Sequence, residues 1–299
     1  MLHEPAMSET AMTKVRTRPG GPPYPITMSG SLSRLLFSCF LGGVMSPSLS
    51  AQAVVPPRAL PVSTPVQSSI ARVPFGPGEK AMYEVRLGRL SVGEGSMEVM
   101  SLDTIRGHLS YHFSWQIDGG LPLLMVHDHF ESWSDVSTLA TRRFIQEIDE
   151  VRYERLRHYE IYPEEKRWEL LTSGDAEAFT TDRPLDDISF IYFVRTLPSL
   201  EVGQTYMLPQ YFREDRNPVV LNVLRRERID VPAGTFNTIV VQPILKSGGL
   251  FREGGKAEVY FTDDDKRLLI RLTTRGVPLL GDLSLHLTTI EPGVLLLRD

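Results

Sequence analysis

Beyond residue 75 the chain alternates apolar and polar residues with a period of two. Tyr83, Val85 and Leu87 interleave with Met82, Glu84 and Arg86, the pattern of a strand with one face in a core and one in water. Segments of this kind predict strands over 80–87, 93–100, 109–118, 124–133, 140–149, 152–162 and 166–172. A second set is predicted over 204–212, 218–230, 235–245, 255–262, 267–275 and 282–291. Turn chemistry punctuates them. The glycine-bounded stretch Leu87–Gly93 joins the first pair, and Val231-Pro232-Ala233-Gly234-Thr235 reads as a hairpin closed by a three-residue loop. Thr262–Lys266, with three consecutive aspartates, is another polar turn. Tyr83, Trp115, Phe130 and Phe236 are the aromatic residues expected in the core.

One segment breaks the rhythm. Between Pro184 and Pro198, Leu185, Ile188, Tyr192 and Phe193 fall at helical spacing, with Asp186 or Asp187 placed to cap the first turn. The prediction is a short, almost buried helix over 185–197; its β-branched and aromatic run leaves a buried strand over 188–194 as the alternative. Short strands at near-regular intervals, with no strand–helix alternation, define an all-β fold. Mostly antiparallel, curved sheets are expected, forming a sandwich or an open barrel with one short helix.

The N-terminal part has a different character. Residues 28–53 have the three parts of a secretory signal peptide: Arg34, an apolar run from Leu35 to Met45, and Ala51-Gln52-Ala53 as an A-x-A cleavage site. The run is too short, and too interrupted by Gly42, Gly43 and Pro47, to span a bilayer. The mature chain is expected to begin at Val54, in the periplasm or outside the cell. Residues 1–27 are polar and rich in Pro and Gly, and are read as an upstream segment ahead of a translation start at Met28. Residues 54–74 carry five prolines and form a linker, and 75–299 form a single β-rich domain. The one cysteine, Cys39, leaves with the signal. A lipobox at Leu36–Cys39 is disfavoured by Phe37 and by the shortness of the run before it. Without a disulfide, the domain depends on its core; about 225 residues suffice, burying roughly 70% of the unfolded surface.

Charge narrows the partners. The chain has 32 basic and 37 acidic residues. Without residues 1–53 there are 28 and 35, a net charge of −7, which argues against nucleic acid. No span for a membrane helix is evident, so membrane association is peripheral at most; the oligomeric state is left open.

The order of several short motifs is informative. Phe75-x-Pro77-Gly78-Glu79-Lys80-x-x-Tyr83, Val126-x-Asp128-x-Phe130-Glu131-Ser132, Arg195-x-Leu197-Pro198 with Val202-Gly203, and Val231–Phe236 followed by Thr262–Arg267 together resemble the family called domain of unknown function 3108. The resemblance covers about 75–291. It implies an exported bacterial protein of uncharacterised activity, and brings no catalytic residues.

Three constellations bear on chemistry. His127, His129 and Glu131 share one face of a strand, with Asp128 and Phe130 on the other. Two imidazoles and a carboxylate are zinc ligands in kind, but i and i+2 positions stand about 6.5–7 Å apart. They are therefore read as a solvent-facing polar side, and no metal or other cofactor is expected. Asp128 is read as a buried carboxylate. Arg155, Arg157 and Tyr159 share a strand face that could hold glycans or anionic headgroups; an exposed sheet with cross-strand charge pairs is preferred. Gly248-Gly249 and Gly254-Gly255 bracket a hairpin tip, with no P-loop lysine. The sequence has no G-x-S-x-G or H-E-x-x-H motif, and no catalytic residue is assigned.

The leading expectation is a non-enzymatic, cell-envelope β domain that binds a lipid or other hydrophobic ligand. Its apolar segments, Leu121–Val126, Ile188–Val194, Leu268–Leu272 and Val277–Leu280, exceed what a thin sandwich requires. A metal-dependent or serine-type hydrolase is the alternative, and a structural assembly partner the third.

Overall fold

Successive hairpins build the domain outward from its middle. The computed structural model describes residues 73–121, 124–150, 153–245, 257–277 and 281–296. The signal segment, nearly all of the linker and both glycine pairs lie outside the described residues, as do parts of the Leu121–Val126 and Val277–Leu280 segments.

The strands are β1 (Lys80–Leu87), β2 (Leu90–Ile105), β3 (His108–Leu121), β4 (Leu124–Asp135), β5 (Thr141–Glu150), β6 (Tyr153–Tyr162), β7 (Arg167–Leu170) and β8 (Asp175–Ala178). After helix α1 (Asp187–Arg195) come β9 (Thr205–Leu208), β10 (Val219–Val231), β11 (Gly234–Ile244), β12 (Ala257–Thr262), β13 (Leu269–Val277) and β14 (Gly281–Glu291). All fourteen join one antiparallel sheet in the order β8-β7-β6-β5-β4-β3-β2-β1-β14-β13-β12-β11-β10-β9. Of the sandwich and the open barrel expected, the second is found: one curved antiparallel sheet that does not close, with β8 and β9 at its edges. Twist accumulates from strand to strand, and here it carries the far ends toward each other. Phe212, beyond β9, packs edge-on against Phe144 of β5, Tyr159 of β6 and Trp168 of β7 at 5.1–6.3 Å.

The strand positions follow the alternation closely, with four differences, one being that β9 (Thr205–Leu208) covers only part of the 204–212 segment. Strand β2 is longer than the 93–100 segment, because the connection to β1 is only Gly88-Arg89. Strand β8, DAEA, is exposed throughout and has no apolar signal by which to be predicted. Pro232 and Ala233 form a two-residue turn, and Gly234 (φ 128°) already pairs with Val231, so the predicted three-residue loop is shortened. Phe236 accordingly stands at the hairpin tip and is only half-buried, whereas Tyr83, Trp115 and Phe130 are buried as expected. Gly93 and Gly119 face each other across β2 and β3. A Cβ at Gly93 would lie 2.3 Å from the Asp118 carbonyl oxygen, so the close approach excludes a side chain.

The 185–197 segment is a helix, not a strand. Asp186 is its N-cap: Oδ1 accepts from the backbone N–H of Ile188 and Ser189 at 2.8 and 3.0 Å. The Ser189 hydroxyl accepts from the Asp186 N–H at 2.8 Å, completing a capping box. Asp186 Oδ2 also accepts from the Ser132 and Thr141 hydroxyls at 2.5 and 2.6 Å, tying the helix start to the β4–β5 end. Tyr192 stacks on Phe113 of β3 with centroids 3.9 Å apart. At the other end, Arg195 reaches Glu79, just before β1, and the Lys266 carbonyl between β12 and β13. In an antiparallel sheet these connections share one end, so α1 crosses that end of the wrapped sheet.

Candidate functional site

Between α1 and the second half of the sheet, side chains leave an apolar cavity of about 70 Å³. Trp115 and Ile117 of β3 form one wall and Phe190, Ile191 and Val194 of α1 another. Opposite them stand Val219 and Leu221 of β10, Val241 and Pro243 of β11, Val259 and Phe261 of β12, Leu272 of β13 and Leu285 of β14. The period of two on each strand points these residues inward, and the helix supplies the remaining wall because its i, i+1 and i+4 positions, 190, 191 and 194, face the same space.

Asp187 and Tyr211 are the ionisable groups on this lining, and they lead to a polar network. The Tyr211 hydroxyl donates to Asp187 Oδ1 at 2.7 Å and accepts from Arg216 Nη1 at 2.7 Å. Arg216 Nη1 itself lies 4.0 Å from Asp187 Oδ1. Gln146 Nε2 donates to Asp187 Oδ2 at 3.3 Å, and Arg157 Nη1 donates to Gln146 Oε1 at 3.3 Å. Burial pushes the Asp187 carboxyl above the usual carboxylate range, opposed by Arg216 and the Tyr211 hydrogen bond. Burial also raises the Tyr211 phenol, again against Arg216. The Arg157 guanidinium is lowered by burial yet stays protonated, as arginine does at any ordinary pH.

The face carrying Arg155, Arg157 and Tyr159 is therefore the concave one, contrary to the expectation of an exposed sheet. Arg157 and Tyr159 are only 6% and 4% exposed. The cross-strand neighbour of Arg157 is Gln146. Sequence reading did not single out Gln146, Asp187 as a cavity group, Tyr211 or Arg216. An acidic residue one position beyond the helix cap was the available signal for Asp187; the others meet only through the wrapping of the sheet.

His127, His129 and Glu131 lie on the outer face, opposite the buried Asp128 and Phe130, and each turns to a different partner. His127 Nδ1 is 2.9 Å from Asp118, His129 Nε2 is 3.1 Å from the Ser114 hydroxyl, and Glu131 is 2.9 Å from His112 Nε2. Among the described residues, no group of three such side chains is placed to hold a metal ion. His112 stacks on Trp133 at 4.2 Å, and the Trp133 indole donates to Asp103 at 2.8 Å.

Ser114, His129 and Glu147 have the order of a hydrolytic triad, with His129 Nδ1 3.9 Å from Glu147. They lie on adjacent central strands whose backbone N–H groups are committed to the β3–β4 and β4–β5 ladders. No backbone donors are left there to form an oxyanion hole.

Together these features define an open, barrel-like β protein with a lined interior and one helix across its end. Residues 82–288 match the family described as protein of unknown function (DUF3108), and the chain belongs to that family. Among solved structures, it is similar to a beta-barrel-like protein of domain of unknown function DUF1849 from Brucella abortus, with 8% identity, a TM-score of 0.48, and 74% of this chain and 99% of that one covered. A candidate exported protein with a YmcC-like fold from Bacteroides fragilis is similar at 11% identity and a TM-score of 0.29, covering 74% and 98%. No curated protein matches the chain.

Proposed function

We propose that the chain is exported and that its β domain binds a hydrophobic component of the cell envelope between α1 and β10–β14, without catalysing a reaction on it. The observation that carries this reading is the cavity lining: aromatic and branched aliphatic side chains from three sides, with polar groups at one place only. Ligand sites for apolar molecules have this composition. Export rests on the 28–53 segment, with its basic start, apolar run and A-x-A site.

The size of the cavity sets a condition. At about 70 Å³ it is roughly half the ~150 Å³ that takes a benzene ring, so it admits one branch of a chain. A longer ligand enters when Phe190 and Ile191 turn aside or α1 lifts from the sheet.

Native mass spectrometry of protein purified from its own envelope tests the reading: the expected result is a co-purifying apolar molecule, displaced by the fluorescent fatty acid cis-parinaric acid. Ile191→Trp, which fills the cavity from the half-buried side of α1, should weaken the probe about tenfold. Absence of both a co-purifying molecule and probe binding overturns it.

A further inference from the structure

The geometry points to Arg157 as the recognition group for the anionic head of an amphiphile whose apolar tail lies in the cavity, an inference that rests on the reading just proposed and specifies its ligand. Arg157 is 6% exposed. Among the described residues, no carboxylate comes within ion-pair distance of it, and its Nε has no hydrogen-bond partner. Its side-chain partner is the neutral Gln146 amide, to whose Oε1 Arg157 Nη1 donates at 3.3 Å. A buried guanidinium held only by a side-chain amide is costly in a stable protein, and a group of that kind is explained when an incoming oxyanion completes it.

The position suits that role. Gln146 links Arg157 to Asp187, and Asp187 and Tyr211 form the polar part of the cavity wall. An apolar tail along Phe190 and Val219 thus ends beside this network. The charges favour an anion over a cation. Arg157 and Arg216 border this network, and the oxygens of its carboxylate, Asp187, already accept from the Tyr211 hydroxyl and the Gln146 amide. Arg213 is matched locally by Asp215 at 2.9 Å. A planar guanidinium binds carboxylate and phosphate oxygens in the same forked manner. The shared ligand chemistry is therefore an oxyanion on an apolar chain, a fatty carboxylate or a lipid phosphate.

Binding of palmitate, hexadecyl phosphate and 1-hexadecanol to the processed native protein tests this, with inorganic phosphate alone as a fourth ligand. The expected result is that one or both anionic amphiphiles bind about tenfold or more tightly than the alcohol, and the tighter of the two identifies the source of the oxyanion. Arg157→Gln should remove that preference while leaving hexadecanol affinity as in the native protein, and Arg157→Lys should retain part of it. Equal affinity for all three amphiphiles in the native protein overturns the inference and leaves the apolar site standing. Inorganic phosphate binding as tightly as hexadecyl phosphate also overturns it, since the tail would then contribute nothing. Binding of none of them overturns both. Because the native comparison decides without a variant, a misfolded Arg157→Gln protein would not obscure the outcome.

Discussion

Arg195 grips Glu79 with two parallel bonds, Nη1 to Oε1 at 2.5 Å and Nη2 to Oε2 at 3.0 Å, although 116 residues separate them. Both are nearly buried, and the fork fastens the C-terminal end of α1 to the start of β1. Arg195 also donates to the Lys266 and Pro74 carbonyls and lies over the Phe75 and Tyr192 rings. Glu79→Ala should leave a buried cation without its counter-ion and cost about 3 kcal/mol, read from denaturant unfolding. A midpoint and slope matching the native protein would show that the fork contributes nothing.

Asp186 works at the other end of the helix. Its side chain accepts from two backbone N–H groups and two hydroxyls, so Asp186→Ala removes a helix cap and strands Ser132 and Thr141 in the interior. The expected loss is about 2–4 kcal/mol. Asp186→Asn, which keeps an accepting oxygen for the cap, should retain a good part of it. Equal losses in the two variants, measured by thermal unfolding, would rule out capping as the cause.

His286 provides a pH dependence. Burial, with Arg86 and Arg271 on the neighbouring strands, lowers its pKa from 6.5 to about 4, against the opposing pull of Glu84. The unfolded chain therefore takes up this proton first as the pH falls. Its contribution to stability is complete above about pH 6.5 and is lost as the pH drops toward 4. His286→Gln should flatten that part of the stability profile relative to the native protein. Parallel profiles from pH 7 to pH 4 would contradict the assignment.

Arg157 should behave unlike Arg195. With no carboxylate within ion-pair distance among the described residues, its charge is a cost in the unliganded domain, and Arg157→Gln should leave stability unchanged or raise it by about 1 kcal/mol. Calorimetry of ligand-free protein checks this. A loss above ~2 kcal/mol would mean that the guanidinium is structural.

The strand pattern was legible because each strand's burial repeats its own alternation. Tyr83 and Val85 are buried while Met82 and Glu84 are not, a local consequence of the pleat. Helix α1 was legible for a similar reason, since its cap and its apolar spacing lie within the same dozen residues. Phe236 misled because hydrophobicity says nothing about distance from a hairpin tip, and β8 was invisible because it pairs without burying anything apolar.

What the chain's order of residues determined by itself was therefore local: strands, turns, the capped helix, and the family motifs spread through the domain. On β6 the tertiary structure alone decided which face is inside. The alternation on β6 is satisfied equally by either face, and the wrapping of the sheet brings Arg157 inward toward Asp187, Tyr211 and Arg216 from distant segments. Where both faces carry apolar and polar residues alike, period-two patterning specifies two faces but does not label them. The label comes from which elements lie opposite, and those belong to a different part of the chain.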